Sequence, residues 1–153
     1  MPANMNHYDA AIRICVDQVT DGRICGRAVS RRLLRPFSFS DIGGLLLQLE
    51  EVLDAQNFPQ AFERTRTFCP ERGEGSAALA AKDLNSGMSR EEVEAARGER
   101  ATVQLYVITR RNTTWQGFLD WLDGTPRQEY ASVLELIKCV DERLSGKACD
   151  EVP

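Results

Sequence analysis

The chain has very little histidine and no closely spaced cysteine pair, and these absences exclude several kinds of chemistry. His7 is the single histidine among 153 residues. Zinc sites need Cys or His ligands clustered at short spacings, and no C-x-x-C pair occurs. A nucleophile activated by a histidine base would have to use His7, close to the N-terminus. We therefore expect no metal, no cofactor and no catalytic residue.

Long apolar runs and phosphate-binding glycine loops are also missing. No stretch approaches the roughly 20 apolar residues of a membrane-spanning helix, and the N-terminus lacks the pattern of a signal peptide. Neither G-x-x-x-x-G-K-[ST] nor G-x-G-x-x-G occurs. The net charge of −4 gives no general attraction to nucleic acid or anionic lipid. These absences favour a cytoplasmic protein without a membrane partner and argue against nucleic acid as a partner.

The cysteines that are present do not form a disulfide pattern. Their number is odd and their spacing is irregular. The five positions are Cys15, Cys25, Cys69, Cys139 and Cys149. We expect reduced thiols, some of which fill the core.

The N-terminal third predicts a hairpin followed by a helix. Two β-favouring runs flank Asp21-Gly22, a dipeptide that suits tight hairpin turns. Pro36 suits an edge strand or a loop, and Ser40 or Asp41 can cap the helix that follows. The apolar face of that helix has helical spacing. Its members are Ile42, Leu45, Leu46, Leu49 and Leu53.

The C-terminal third has the same order of elements. "TVQLYVITRR" and "WQGFLDWL" predict two strands, and "PRQEY" predicts a short third strand after a turn at Asp123-Gly124. Ser132 and Glu135 form a capping box at the start of a second helix. The apolar stripe of that helix consists of Val133, Leu136, Ile137, Val140 and Leu144.

These two regions match when the chain is shifted by 91 residues. Residues 12–53 then lie over residues 103–144 without a gap, and Gly26 falls on Gly117. Because few residues are identical, the order and spacing of the elements carry the comparison. Two unrelated hairpin-helix units are the alternative to an internal repeat.

The predicted fold is α+β in a single domain, 1–153. It consists of two tandem β-hairpin-plus-helix repeats, ββα or βββα, which form an antiparallel sheet covered by helices. The first unit spans residues 8–57 and the second spans residues 102–146. Residues 58–101 between them predict a partly helical or mobile insertion.

Two local features inside this plan need an explanation. Gly43 and Gly44 stand at the start of the first helix, where we expect them to admit a close neighbour rather than to bind phosphate. The polar, aromatic-free run 71–100 predicts a mobile linker or a lid. Within it, Ser89 and Glu92 can cap a short helix.

Two sets of residues are candidates for a ligand or partner surface. Trp115 and Trp121 share one face of a strand, where they line a groove or belong to the core. The first unit carries an arginine patch in an acidic protein, either a binding surface for RNA, nucleotides or acidic proteins or a solvated strand face. The patch lacks the aromatic residues that stack on single-stranded bases. Its candidate members are Arg27, Arg31, Arg32 and Arg35.

One segment resembles the PilZ family, which binds a cyclic dinucleotide through R-x-x-x-R and [DN]-x-S-x-x-G. In "RRLLR" and "SFSDIGG", the residues Arg31, Arg35, Ser40 and Gly43 fit the two patterns. Ser38 stands where the family has Asp or Asn, and no strand separates the two patterns. The remaining sequence is not typical of the β-barrel that this resemblance implies.

The last third of the chain resembles short uncharacterised proteins of anaerobic bacteria. They share a W-x-G-x-x-x-W-like strand, then an aromatic residue, then S-x-x-E-L-I. The matching positions are Trp115, Gly117, Trp121, Tyr130, Ser132, Glu135, Leu136 and Ile137. The resemblance implies a shared architecture and adds no known activity.

Taken together, these patterns favour a small cytoplasmic module for interaction or regulation, without enzymatic activity. Its expected partner is another protein or a second copy of the chain. The alternative is an RNA- or nucleotide-binding protein that uses the arginines of the first unit. An enzyme whose site is completed by a partner stays open as a third class.

Overall fold

The computed structural model of the chain describes residues 7–20, 23–56, 80–81 and 86–145. The strands in these ranges form one antiparallel sheet of six strands in the order β3-β2-β1-β4-β5-β6. They are β1 (Ile12–Thr20), β2 (Arg23–Val29), β3 (Phe37–Phe39), β4 (Ala101–Thr109), β5 (Gln116–Asp120) and β6 (Gln128–Tyr130). The α+β class and the antiparallel sheet agree with the sequence prediction. The predicted turn at 21–22 lies outside the described residues.

Four helices accompany the sheet within the described ranges. They are α1 (His7–Ala10), α2 (Ile42–Gln56), α3 (Arg90–Ala95) and α4 (Val133–Ser145). Leu45 and Leu49 of α2 and Leu136 of α4 share one apolar core with Ile12 and Ile14 of β1. The two longer helices therefore cover one face of the sheet.

The opposite face of the sheet includes buried polar side chains where it is covered. Alternate strand residues point to opposite faces, so Arg13 of β1 and Gln104 of β4 point away from α2 and α4. Both side chains are buried. The Arg13 guanidinium donates to the carbonyl oxygen of Ala96, which directly follows α3. This face is therefore covered by the shorter helices and by the chain that follows α3.

Both longer helices begin with a side-chain cap. An Asp41 carboxylate oxygen accepts the Gly44 N–H at 2.6 Å, and Ser132 Oγ accepts the Glu135 N–H at 3.1 Å. These bonds satisfy N–H groups that have no partner within the helix. The cap of α2 is therefore Asp41 rather than Ser40. The cap of α4 is Ser132, as predicted. The Glu135 carboxylate accepts the N–H of Ala131.

The glycine pair at the start of α2 does not admit a close neighbour, contrary to the expectation from sequence. A Cβ at Gly43 would lie 3.7 Å from an Asp41 carboxylate oxygen, and a Cβ at Gly44 would lie 3.1 Å from it. Among the described residues, no atom of another element lies within 4 Å of either position. In the described part of the chain, the carboxylate that caps the helix crowds a Cβ at Gly44, whereas a Cβ at Gly43 would be in ordinary contact with it.

The hairpins of the two units pair in corresponding registers. Val16 pairs with Gly26 in the first hairpin, and Val107 pairs with Gly117 in the second. Each long strand has an irregularity directly after these valines. The third strands also pair in corresponding registers. Adding 91 to the five pairs from Arg13–Val29 to Gln18–Cys25 gives the five pairs of the second hairpin.

Residues 86–100, which we call the arm, are attached to the sheet rather than forming a separate linker. The Met88 N–H donates to the Leu33 carbonyl oxygen at 2.9 Å, and the Arg100 N–H donates to that of Val16 at 2.8 Å. The arm therefore belongs to the domain at both of its ends. Residues 71–79 and 82–85 of the predicted linker lie outside the described residues.

The middle of the arm is helix α3, which begins with the predicted capping box. Ser89 Oγ accepts the Glu92 N–H at 3.1 Å, and the Glu92 carboxylate accepts the Ser89 N–H at 3.0 Å. No residue of α3 is buried. The helix is therefore stabilised at its start by local bonds and lacks an apolar anchor in the core.

Candidate functional site

A cleft of about 380 Å³ opens where the arm, the start of β4, the β5–β6 connection and the end of α4 meet. Its polar lining includes Arg97, Arg100, Thr102, Asp123 and Arg143. Its apolar lining includes Trp121, Leu122 and Leu144. Three guanidinium groups therefore face a single carboxylate in a protein that has a net charge of −4.

Each arginine of the cleft is positioned in a different way. Arg97 Nη1 donates to the carbonyl oxygens of Glu94 at 2.7 Å and Ala96 at 2.9 Å. Arg100 is exposed and is fixed through its backbone N–H. Since backbone carbonyls carry no net charge, the bonds of Arg97 leave its positive charge unneutralised. The arm thus brings positive charge to the cleft.

The positive charge of Arg143 is neutralised by the carboxylate of Asp123. Arg143 forms an ion pair with Asp123, and its guanidinium lies 4.6 Å from the ring centroid of Trp121. A cation over an indole face is attracted by the ring quadrupole. Trp121 thus supports Arg143 and is unavailable for stacking on a ligand at that face.

The β5–β6 connection has an unusual backbone that brings its side chains to the cleft. Leu122 has φ of 60°, a region that bulky residues rarely adopt, and is 42% exposed. Asp120 accepts the Leu122 N–H at 3.0 Å, which supports this turn. Hydrogen bonds from Thr125 lower the pKa of Asp123, and Arg143 contributes to the same shift. The carboxylate at the rim of the cleft is therefore held in its charged form.

The cleft has the chemistry of a binding site for an anion. Arginine donates paired N–H groups to carboxylates and phosphates. No His, Cys or Ser side chain from the described residues lines the cleft, so the groups most often used as nucleophile or general base are missing from its walls. The arginines of the cleft can therefore donate to the oxygen atoms of an anion.

The two candidate tryptophans lie in the core. Trp115 is 3% exposed and donates its Nε1–H to a Glu50 carboxylate oxygen at 2.7 Å. Trp121 is 4% exposed and donates its Nε1–H to the Gln128 side chain at 2.8 Å. Both indoles belong to the same apolar cluster. Of the two, only Trp121 reaches the cleft.

Arg32 is an interior residue and not part of an arginine surface. It is 1% exposed. Its Nε donates to the Gln56 side chain at 2.7 Å, and Nη1 donates to the Ala10 carbonyl at 3.3 Å. Burial, with a smaller contribution from the charge of Arg110, lowers the pKa of the Arg32 guanidinium to about 9. Arg32 therefore joins α1, α2 and the β2–β3 connection.

The other three candidate arginines point to different surroundings. Arg27 lies 3.5 Å from Asp17 and donates to the Arg97 carbonyl at 2.7 Å. Arg31 lies 3.3 Å from the buried Asp9, and Arg35 is exposed. Within the described residues, these contacts place the first-unit arginines in separate surroundings. The arginines that line the cleft, Arg97, Arg100 and Arg143, were not singled out from the sequence.

The sequence contains one local sign of this cleft. Arg97 and Arg100 stand three residues apart, directly before the β-favouring run that forms β4. Nothing local connects them to Arg143, which is brought close by the pairing of β4 with β5 and by the return of α4. The cleft is therefore formed by the tertiary structure, and no local sequence pattern joins its three arginines.

The described cysteines differ in accessibility, which leads to a prediction about thiol reactivity. Cys15 is fully buried, and burial raises the pKa of its thiol. Cys25 and Cys139 are partly exposed. Because the thiolate is the reactive form, Cys15 should be the slowest of the three to react with a thiol reagent in native protein. Mass-spectrometric mapping of the modified peptides measures this order, and early labelling of Cys15 would contradict it.

Among residues 7–20, 23–56, 80–81 and 86–145, no group of three His, Cys, Asp or Glu side chains is placed to hold a metal ion. No helix of the described ranges is long and apolar enough to cross a membrane. No family model, no curated protein and no solved structure matches the chain.

Proposed function

We propose that the chain is a small, non-enzymatic interaction module whose arginine cleft binds an anionic group. The observation that supports this is the excess of positive charge in the lining, where Arg97, Arg100 and Arg143 stand against Asp123. The cleft volume of about 380 Å³ falls within the roughly 300–1,000 Å³ of small-ligand pockets. An anionic group of modest size can therefore enter with several donors around it.

The ligand class follows from the remaining lining. Leu122 and Leu144 add apolar surface beside the arginines, so an anion with an adjoining apolar group fits better than a bare ion. A small molecule can combine an anionic group with an apolar one. A partner protein can do the same with an acidic residue beside an apolar residue. Both sources present the same chemistry to the cleft.

The alternative of an RNA- or nucleotide-binding protein has less support. Arg32 is buried, and Arg27 and Arg31 each have a carboxylate within 3.5 Å. The face of Trp121 that would stack on a base is occupied by Arg143. Sequence-tolerant binding of single strands depends on free aromatic faces combined with a basic groove, and the cleft offers only the basic groups.

A titration with phenyl phosphate tests the proposal. We expect amide NMR signals of residues 97–102 and 121–123 to shift in a saturable way, because these segments form the walls of the cleft. Inorganic phosphate should shift the same signals more weakly, since it lacks the apolar part. A short peptide with Glu beside Leu, titrated separately, distinguishes a protein source of the anion from a small-molecule source.

Matched arginine variants supply the control. Arg100→Gln should weaken phenyl phosphate binding about tenfold, because it removes a charged donor from the cleft. Arg23→Gln should leave binding unchanged, since Arg23 is exposed on β2 and does not line the cleft. Equal losses in both variants, or shifts scattered over the whole surface, would refute a specific anion site.

We also infer that the chain contains an internal repeat that places two copies of one βββα unit around a pseudo-two-fold axis. The correspondence of strand registers at an offset of 91 residues supports this. Arg13 and Gln104 are equivalent under that offset, and they are also direct partners across β1 and β4. An axis of symmetry between the units would therefore pass through this pair.

A further inference from the structure

We propose that helix α3 of the arm is held by polar contacts and that the arm regulates the arginine cleft, an inference that rests on the function proposed above. Arg97 and Arg100 belong to the arm, whereas Arg143 belongs to α4. Two of the three cleft arginines are therefore in place only when the arm is docked on the sheet. Any group that fixes the arm also determines the affinity of the cleft for an anion.

The outer side of the arm is attached through ionisable side chains. Arg90 Nη2 lies 2.9 and 3.2 Å from the two carboxylate oxygens of Asp9. The Tyr8 hydroxyl donates to a Glu94 carboxylate oxygen at 2.5 Å. Because α3 has no buried residue, these contacts replace the apolar burial that attaches most helices to a sheet.

Beneath the arm, several buried polar atoms lack a hydrogen-bond partner. In the described part of the chain they are Arg13 Nε, Arg31 Nε and Gln104 Oε1. Arg31 and Gln104 line a small pocket between α1, α3 and the sheet, together with Asp9 and Arg90. Burying a polar atom without a partner is unfavourable. Lifting the arm would let water reach these atoms. Burial of the unpartnered atoms therefore opposes docking of the arm, whereas the contacts of Arg90 and Tyr8 favour it.

The end of α3 connects the attachment to the cleft. Arg97 Nη1 donates to the carbonyl oxygens of Glu94 and Ala96. Ala96 is in turn fixed by Arg13 Nη1 at 3.3 Å, and the Arg97 carbonyl accepts from Arg27 Nη2 at 2.7 Å. The guanidinium of Arg97 is thus oriented by the last carbonyl groups of α3 and moves with that helix.

Asp9 and Arg90 are therefore positioning residues for the cleft, although neither lines it. An anion that contacts the arginines of the arm binds the docked arm better than the lifted one. By linkage, the anion must favour docking of the arm, and loss of docking must weaken binding of the anion. Added salt should weaken docking of the arm, because it screens the partly exposed ion pair of Asp9 and Arg90. It should also weaken binding of the anion, because the anion of the salt competes for the cleft.

The test uses Arg90→Gln in the full chain, with phenyl phosphate as the probe. The variant should bind phenyl phosphate about twofold to fivefold more weakly than the wild type, the loss expected when one partly exposed ion pair is removed. Hydrogen exchange of the amides at 90–100 should be faster than in the wild type. Tyr8→Phe removes a different contact of α3 and should give a smaller loss in the same direction.

Controls separate this inference from the proposed function. Arg23→Gln should match the wild type in binding and in exchange, and thermal unfolding should show that every variant is folded. A wild type that does not bind phenyl phosphate would refute both proposals. If the wild type binds, Arg100→Gln binds weakly, and both Arg90→Gln and Tyr8→Phe bind normally, the cleft stands and the regulatory role of the arm is overturned.

Discussion

Replacing Gly117 with Ala is expected to lower the free energy of unfolding by at least about 3 kcal/mol, at the upper end of the range for overpacking substitutions. A Cβ at this position would lie 1.9 Å from the Tyr106 carbonyl oxygen and 2.9 Å from the Tyr130 hydroxyl. Tyr130 donates that hydroxyl to the same carbonyl. The methyl group would therefore separate β4 from β5 and disturb a buried hydrogen bond. Urea unfolding followed by circular dichroism measures the change.

The equivalent and the contrasting glycines serve as controls. Gly26→Ala should cost a similar amount, because its Cβ would lie 1.9 Å from the Cys15 carbonyl oxygen. Gly43→Ala should instead raise stability by roughly 0.5–1 kcal/mol, since Ala suits a helix better than Gly and the site is open. If Gly117→Ala and Gly43→Ala had equal effects, the close approach of the strands would be disproved.

Arg32→Ala is expected to destabilise the protein by about 2–4 kcal/mol, through a cavity and through acceptors left without donors. The side chain oxygen of Gln56 and the carbonyl oxygen of Ala10 both accept from Arg32. The variant no longer has to bury a charge, and this offsets part of the lost stability. The expected loss of unfolding free energy is therefore smaller than that of the largest core truncations. Thermal and urea unfolding should both register the change.

Arg35→Ala is the matched control, because it removes the same side chain from the same connection between β2 and β3. Arg35 is exposed, and surface substitutions of this kind usually change stability by less than about 0.5 kcal/mol. Comparable losses at Arg32 and Arg35 would contradict the interior role of Arg32. Loss of anion binding in Arg35→Ala, with the cleft variants unaffected, would instead favour the arginines of the first unit as the site.

The elements of the fold were predictable because their signals are local. Leu45, Leu49 and Leu53 of α2 recur at helical spacing and are buried in the core. Leu47, which lies off that spacing, is exposed. Caps are equally local: Ser89 with Glu92, and Ser132 with Glu135, lie three residues apart and form bonds within one turn. Of the two short strands, β6 was predicted from "PRQEY", whereas the sequence left the β3 region open as an edge strand or a loop.

The site was harder to predict because its signals are not local. Arg31, Arg32 and Arg35 have the same chemistry in "RRLLR", yet Arg32 is buried, Arg31 contacts Asp9 and Arg35 is exposed. Only the packing of the chain around each side chain separates them. The polar composition of 71–100 predicted a linker, whereas residues 86–100 use that polarity to dock on a polar face of the sheet.

The two outer strands determine how this sheet can meet another one. Within the described residues, β3 and β6 are the outermost strands and have three residues each. Pro36 directly precedes β3, and Pro126 stands two residues before β6. Short edges flanked by proline provide few backbone groups for pairing with a foreign strand. Continuous sheets shared between copies, and fibrils grown from them, are therefore disfavoured. If this chain forms dimers, we expect side chains on its faces to make the contact.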